Sequence, residues 1–77
     1  MVKLGDVVIV KNGPNFNGST EHPAIVTRVW AEDMVNLALI PDLPTYVEQK
    51  IIGYGSVYRK DSSHLQSDKQ IYFVERE

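Results

Sequence analysis

Cysteine is absent from the 77 residues of this chain. Disulfide bridges and cysteine-ligated metal sites are therefore excluded, and packing, with or without self-association, must stabilise the fold. A chain without cysteine also fits a reducing cytosol. An excess of positive charge is missing too, since the formal net charge is −2 and the pI is about 5.6. A broad basic surface for DNA, RNA or anionic membranes is consequently not expected.

Long apolar runs are missing as well. No run approaches the roughly 20 residues that a membrane helix requires. The residues after Met1 contain no apolar leader segment, so we expect no secretory signal. The length fits one domain, 1–77. These features predict a cytoplasmic protein that does not associate with membranes.

Short apolar runs separated by turn residues are what the chain does contain, and they are typical of all-β proteins. The predicted strands are 6–11, 23–30, 35–40, 45–52 and 71–75. Alternation within the strands predicts a core built from Val8, Val10, Val26, Val29, Leu37, Leu39, Val47 and Ile51. The alternation fails at the end of the second strand, which predicts a bulge near Thr27 and Arg28.

The connections between the runs differ in length. Residues 12–22 combine two glycines, a proline and three asparagines, and predict a long first loop. Residues 53–55 read as a flexible kink, and Asp61 is placed to cap a short helical turn before the last strand. Five strands are too few for a sandwich, so they must close on themselves to hide their edges. The predicted fold is a five-stranded barrel.

A known fold family shares these features. Residues 5–10, 22–29 and 35–39 resemble the opening of an SH3-like barrel of the Tudor, PWWP or KOW kind, with "G-D-x-V" in the first strand and "A-x-V-x-x-V" in the second. The resemblance implies the fold, because the matching residues are mostly core residues. The paired tryptophans of PWWP and of peptide-binding SH3 domains are missing. The segment "HPAIVTRVW…VNL" is also similar to small uncharacterised proteins of tailed bacteriophages, which implies a location in the host cytosol or the virion.

Catalytic and metal-binding patterns are weak. Residues 13–20 have the glycine spacing of a phosphate-binding loop, but they lack its lysine and the helix that must follow. His22 and His64 are the only histidines, and both are predicted in polar loops without a nucleophile or further ligands nearby. We therefore expect no enzyme, no cofactor and no metal.

Exposed aromatic residues and the first loop are the candidates for a binding surface. The residues predicted to contact a protein partner are Asn15, Phe16, Asn17, Glu21, Trp30, Tyr46, Tyr54 and Tyr58. Core or rim packing is favoured for Trp30 and Phe73, since large aromatic residues dominate cores as well as interfaces. Phe16 is expected to pack against the barrel end, and its insertion into a partner is the alternative.

A non-catalytic protein-interaction module is the function that this pattern favours, as a phage accessory protein that binds a host or phage protein. A virion or assembly component is one alternative, and it would involve self-association. A nucleic-acid-binding barrel is another, because basic and aromatic residues together favour single strands. Its contacts would come from Arg28, Lys50, Arg59 and Lys60, with Tyr54 and Tyr58. Interspersed carboxylates favour an ordinary mixed surface over this alternative.

Overall fold

Five strands form the secondary structure of this chain, for which a computed structural model describes residues 2–15, 18–40 and 52–75. They are β1 (Val7–Lys11), β2 (His22–Ala31), β3 (Met34–Leu39), β4 (Ile52–Arg59) and β5 (Tyr72–Glu75). Consecutive strands from β1 to β4 pair antiparallel, and β5 pairs antiparallel with β1. A short parallel pairing of β5 with β4 closes the barrel. The predicted all-β, five-stranded SH3-like barrel with a long first loop is confirmed.

Buried apolar side chains fill the barrel at alternate positions, as the pleat of a strand requires. The fully buried set is Val2, Val8, Val10, Ala24, Val26, Val35, Leu37, Leu39, Val57 and Phe73. Five of the eight predicted core residues belong to it, and Phe73 is confirmed as a core residue. The predicted core residues Val47 and Ile51 lie outside the described residues.

Val29, another predicted core residue, is 40% exposed. It pairs with the buried Val35, so the pleat turns it towards the inner face. However, β1 and the turn before it accompany β2 only as far as Val26, where Asp6 and Gly5 make the last hydrogen bonds. Val29 thus lies on a part of β2 that has no strand of the described chain on its second side.

The fourth strand of the described residues, β4, extends over residues that were predicted to form a kink. Residues 53–55 are part of β4 instead of forming a kink, while the predicted strand residues 45–51 lie outside the described part of the chain. Glycine has a low propensity for β-strands. Pairing with β3 overrides this low propensity here, because Gly53 lies opposite Ala38.

The connection from β4 to β5 contains turns and no helix over residues 60–71. Ser62 N–H donates to the Arg59 carbonyl at 2.9 Å, and Leu65 N–H donates to the Ser62 carbonyl at 3.3 Å. Asp61 does not cap a helical turn, because its carboxylate accepts a hydrogen bond from Arg59 Nε at 2.7 Å. The predicted helical turn is thus replaced by separate hydrogen-bonded turns.

Candidate functional site

A bulge in β2 creates the exposed surface that forms the candidate site. Simple alternation would continue from Ala24 and Val26 to Arg28 and Trp30, and would turn both of these large side chains inward. Between Val26 and Arg28, however, β2 advances by two residues while β3 advances by one. This predicted bulge at Thr27 is confirmed, and it reverses the alternation. Arg28, which pairs with Asn36, therefore lies on the outer face. Trp30 lies at a second register shift, between Val29 and Ala31. It contacts both Arg28 and Asn36 on the same face.

Trp30 is held in a defined position although it is 49% exposed. Its indole Nε1–H donates a hydrogen bond to Asn36 Oδ1 at 2.8 Å. The guanidinium carbon of Arg28 lies 4.1 Å from the centroid of its ring, within the range of a cation–π interaction. These contacts fix an exposed aromatic ring before any ligand arrives, which reduces the entropy that binding would cost.

Asn36 links this ring to β4. Its Oδ1 also accepts a hydrogen bond from Ser56 N–H at 2.9 Å. Ser56 has a φ of 54°, a left-handed conformation that non-glycine residues adopt only at a cost. It lies in a second bulge, where Gly55 and Ser56 oppose the single residue Asn36. One amide oxygen thus joins β3 to both neighbouring strands.

A row of residues without polar side chains lies next to Arg28 and Asn36 on the outer face. Ile25 pairs with Ala38, and Ala38 pairs with Gly53, so these three residues form one outward row across β2, β3 and β4. Ile25 is 39% exposed, and a methyl group added at Gly53 would approach nothing closer than 3.9 Å. We call the surface made by Ile25, Arg28, Trp30, Asn36, Ala38 and Gly53 the Trp30 face.

A second polar cluster fastens the turn after β4. Ser62 Oγ–H donates to Asp33 Oδ2 at 2.6 Å, and this hydrogen bond is the main reason that the pKa of Asp33 is lowered. Hydrogen bonding to Arg59 likewise lowers the pKa of Asp61. Ser62 Oγ also accepts the His64 backbone N–H at 3.1 Å. The hydroxyl therefore donates its proton to a carboxylate and serves a structural role.

His22 is a core residue, which corrects its prediction as a loop residue. It begins β2 with 2% exposure, and its Nε2–H donates to the Pro14 carbonyl. Gly13 packs so closely against it that a methyl group there would lie 3.2 Å from His22 Cδ2. His22 thus ties the first loop to the barrel. Within residues 2–15, 18–40 and 52–75, no three His, Asp or Glu side chains are grouped to hold a metal ion.

The predicted binding residues that the structure describes lie in different local environments. Tyr54 packs against the core, and Tyr58 is half-buried and stacks on His64 at 5.3 Å. Asn15 Oδ1 accepts the Gly18 N–H within the first loop, and Glu21 forms an ion pair with Lys11. The remaining predicted contact residues, Phe16, Asn17 and Tyr46, lie outside the described residues.

Among the predicted aromatic residues in the described part of the chain, Trp30 is the exposed one. Burial in the core is wrong for it, whereas packing at the barrel rim agrees with its contacts to Arg28 and Asn36. Sequence reasoning missed Asn36 altogether. The available signal was the failed alternation after Val26, because a bulge there turns the following side chains to the other face. That signal gives the face but cannot identify the hydrogen-bond acceptor.

The described residues also form an open groove of about 450 Å³, lined in part by Lys60, Leu65, Asp68 and Tyr72. It lies against the turns between β4 and β5. No helix within the three described segments has the length and hydropathy to cross a membrane. Comparison of the chain with protein-family models, curated proteins and solved structures finds no match.

Proposed function

We propose that this chain is a non-catalytic protein-interaction module and that the Trp30 face is its binding surface. The observation that supports the proposal is the half-exposed indole of Trp30, which Arg28 and Asn36 hold in place. Tryptophan and arginine are among the residues most enriched at the energetic centres of protein interfaces. An exposed ring with two internal contacts loses little freedom on binding, so its burial contributes directly to affinity.

The family resemblance extends this proposal. Residues 5–10, 22–29 and 35–39 resemble Tudor, PWWP and KOW barrels, and the segment around Trp30 resembles small proteins of tailed bacteriophages. On that basis we propose an accessory protein that acts in the cytosol of a bacterial host. A virion component is the alternative, and mass spectrometry of purified particles separates the two roles by detecting or failing to detect the chain.

A pull-down from bacterial lysate tests the proposed surface with a matched pair of variants. Trp30→Ala removes the central ring of the face. Ile40→Ala removes an exposed apolar side chain just after the opposite end of β3, where Ile40 is 36% exposed. We expect the intact chain and Ile40→Ala to retain the same protein at equal yield, and Trp30→Ala to lose at least about nine-tenths of it, as truncation of a central interface residue does. Equal retention by a correctly folded Trp30→Ala variant would refute the proposed surface.

Nucleic-acid binding is the second candidate function, and the Arg28–Trp30 pair favours it, because exposed aromatic and arginine side chains stack on unpaired bases. The other basic and aromatic residues predicted to contact nucleic acid give this candidate less support. Arg59 is paired with Asp61, and Tyr54 packs against the core. Fluorescence anisotropy of a labelled single-stranded oligonucleotide at low salt tests this candidate. Micromolar binding that Trp30→Ala abolishes would favour nucleic acid over protein.

A further inference from the structure

Arg28 is a cation without an acidic partner in the described part of the chain. The two ion pairs found there join Lys11 to Glu21 and Arg59 to Asp61. Arg28 instead lies over the Trp30 ring, which restricts its side chain, and no carboxylate of the described residues forms an ion pair with it. A guanidinium presents five N–H donors in a planar fork that matches a carboxylate. Arg28 is thus positioned to receive an anion from another molecule.

Trp30 contributes apolar surface and no further hydrogen bond. Its Nε1–H is already used by Asn36 Oδ1, and an indole has no other polar group. The adjacent row of Ile25, Ala38 and Gly53 offers aliphatic or backbone surface. A ligand that matches both the Arg28 guanidinium and this apolar surface carries one anionic group for Arg28 and a neighbouring aliphatic group that contacts the Trp30 ring and Ile25.

The charge of the chain selects among anions. Polyanions such as nucleic acids require several cations along their path, whereas Arg28 is the one cation among the residues that define the Trp30 face, and the net charge is −2. One carboxylate needs one guanidinium. We propose that the Trp30 face binds a peptide segment in which an Asp or Glu side chain, paired with Arg28, lies beside an aliphatic side chain that covers the Trp30 ring. This inference rests on the proposed function and specifies its partner.

Selection of a displayed library of short random peptides on the intact chain tests this inference. We expect the selected peptides to be enriched in Asp or Glu next to Leu, Ile, Val or Pro. Synthetic copies are then titrated while tryptophan emission is followed. Trp30 is the only tryptophan, so the signal comes from the proposed site itself.

Two charge variants provide the matched comparison. Arg28→Gln should weaken binding at least tenfold, and replacing the peptide's acidic residue with its amide should weaken it equally. The two changes together should give little further loss, because they remove the same ion pair. Lys69→Gln removes one positive charge from the exposed connection before β5 and should leave binding unchanged. The affinity should also fall with added salt.

The outcomes separate this inference from the proposed function. The selected peptides could lack acidic residues, bind the Arg28→Gln variant as tightly as the intact chain and still require Trp30. That result would overturn the acidic ligand and would still support the Trp30 face as a protein-binding surface. Peptides that bind equally well to Trp30→Ala would overturn both. Failure to select any peptide that alters Trp30 emission would overturn the peptide ligand, and the pull-down would still decide the surface.

Discussion

Replacing Asn36 with alanine is the most direct perturbation of the Trp30 face that leaves the ring itself in place. Asn36 Oδ1 accepts hydrogen bonds from Trp30 Nε1 at 2.8 Å and from Ser56 N at 2.9 Å. A typical hydrogen bond contributes about 0.5–1.5 kcal/mol net, so losing both should lower the free energy of unfolding by about 1–3 kcal/mol. This loss is large for a small domain, whose total stability is about 5–15 kcal/mol.

Urea denaturation followed by circular dichroism measures this change, and Trp30 emission reports on the ring in the same samples. In Asn36→Ala we expect a lower midpoint, an emission maximum shifted to longer wavelength and a lower fluorescence anisotropy, because the indole gains freedom. Asn36→Asp is the matched control, since a carboxylate retains the acceptor. It should keep the stability within about 0.5 kcal/mol of the original chain at neutral pH, because both hydrogen bonds can still form.

Stability and the order of the Trp30 ring should change together, because Asn36 Oδ1 accepts both hydrogen bonds. An Asn36→Ala variant with an unchanged midpoint and unchanged Trp30 anisotropy would show that Asn36 does not hold the ring. Loss of stability in Asn36→Asp equal to that in Asn36→Ala would show that the neutral amide of Asn36 matters and that acceptance of hydrogen bonds by Oδ1 does not explain its effect. Either result would remove the physical basis for a preorganised Trp30 face.

Three further predictions concern the barrel around this face. Leu37→Ala truncates a side chain that is 1% exposed and should cost about 2–5 kcal/mol in urea denaturation; an unchanged midpoint would show that β3 is not central. Ser56→Gly relieves a φ of 54° and should raise stability by up to about 1 kcal/mol, whereas a loss would contradict strain there. Because the pKa of Asp33 is lowered in the folded chain, the Asp33 carboxylate contributes to stability at pH values above its ordinary pKa of 3.8. This contribution is lost as the pH falls through the pKa of the folded state. Ser62→Ala should therefore flatten the acid side of the thermal stability profile, and an unchanged profile would exclude this linkage.

Local pattern by itself determines much of the barrel. Alternation correctly turns Val8, Val10, Leu37 and Leu39 inward, because each strand buries one face only and a shift by one residue would expose them all. The failed alternation after Val26 correctly locates the bulge. These signals are short-range, so they can be read without knowledge of the partner strands.

Tertiary structure decided the features that depend on which strands meet. Gly53 belongs to β4 because it pairs with Ala38 of β3, and Gly55 belongs to it within the bulge opposite Asn36, although glycine has a weak preference for strands. His22 is buried because the first loop returns over it, and no local pattern distinguishes it from a solvated histidine.

The candidate site shows the same division. The sequence placed Trp30 at the end of a strand and identified it as large and aromatic, which suits a core as well as an interface. Trp30 is exposed because β1 and the turn before it accompany β2 only as far as Val26, and because the alternation of side chains is reversed beyond the bulge. Its fixed position follows from Asn36, six residues away in the chain and on a different strand. Contacts between strands are set by register, and register is a property of the folded barrel.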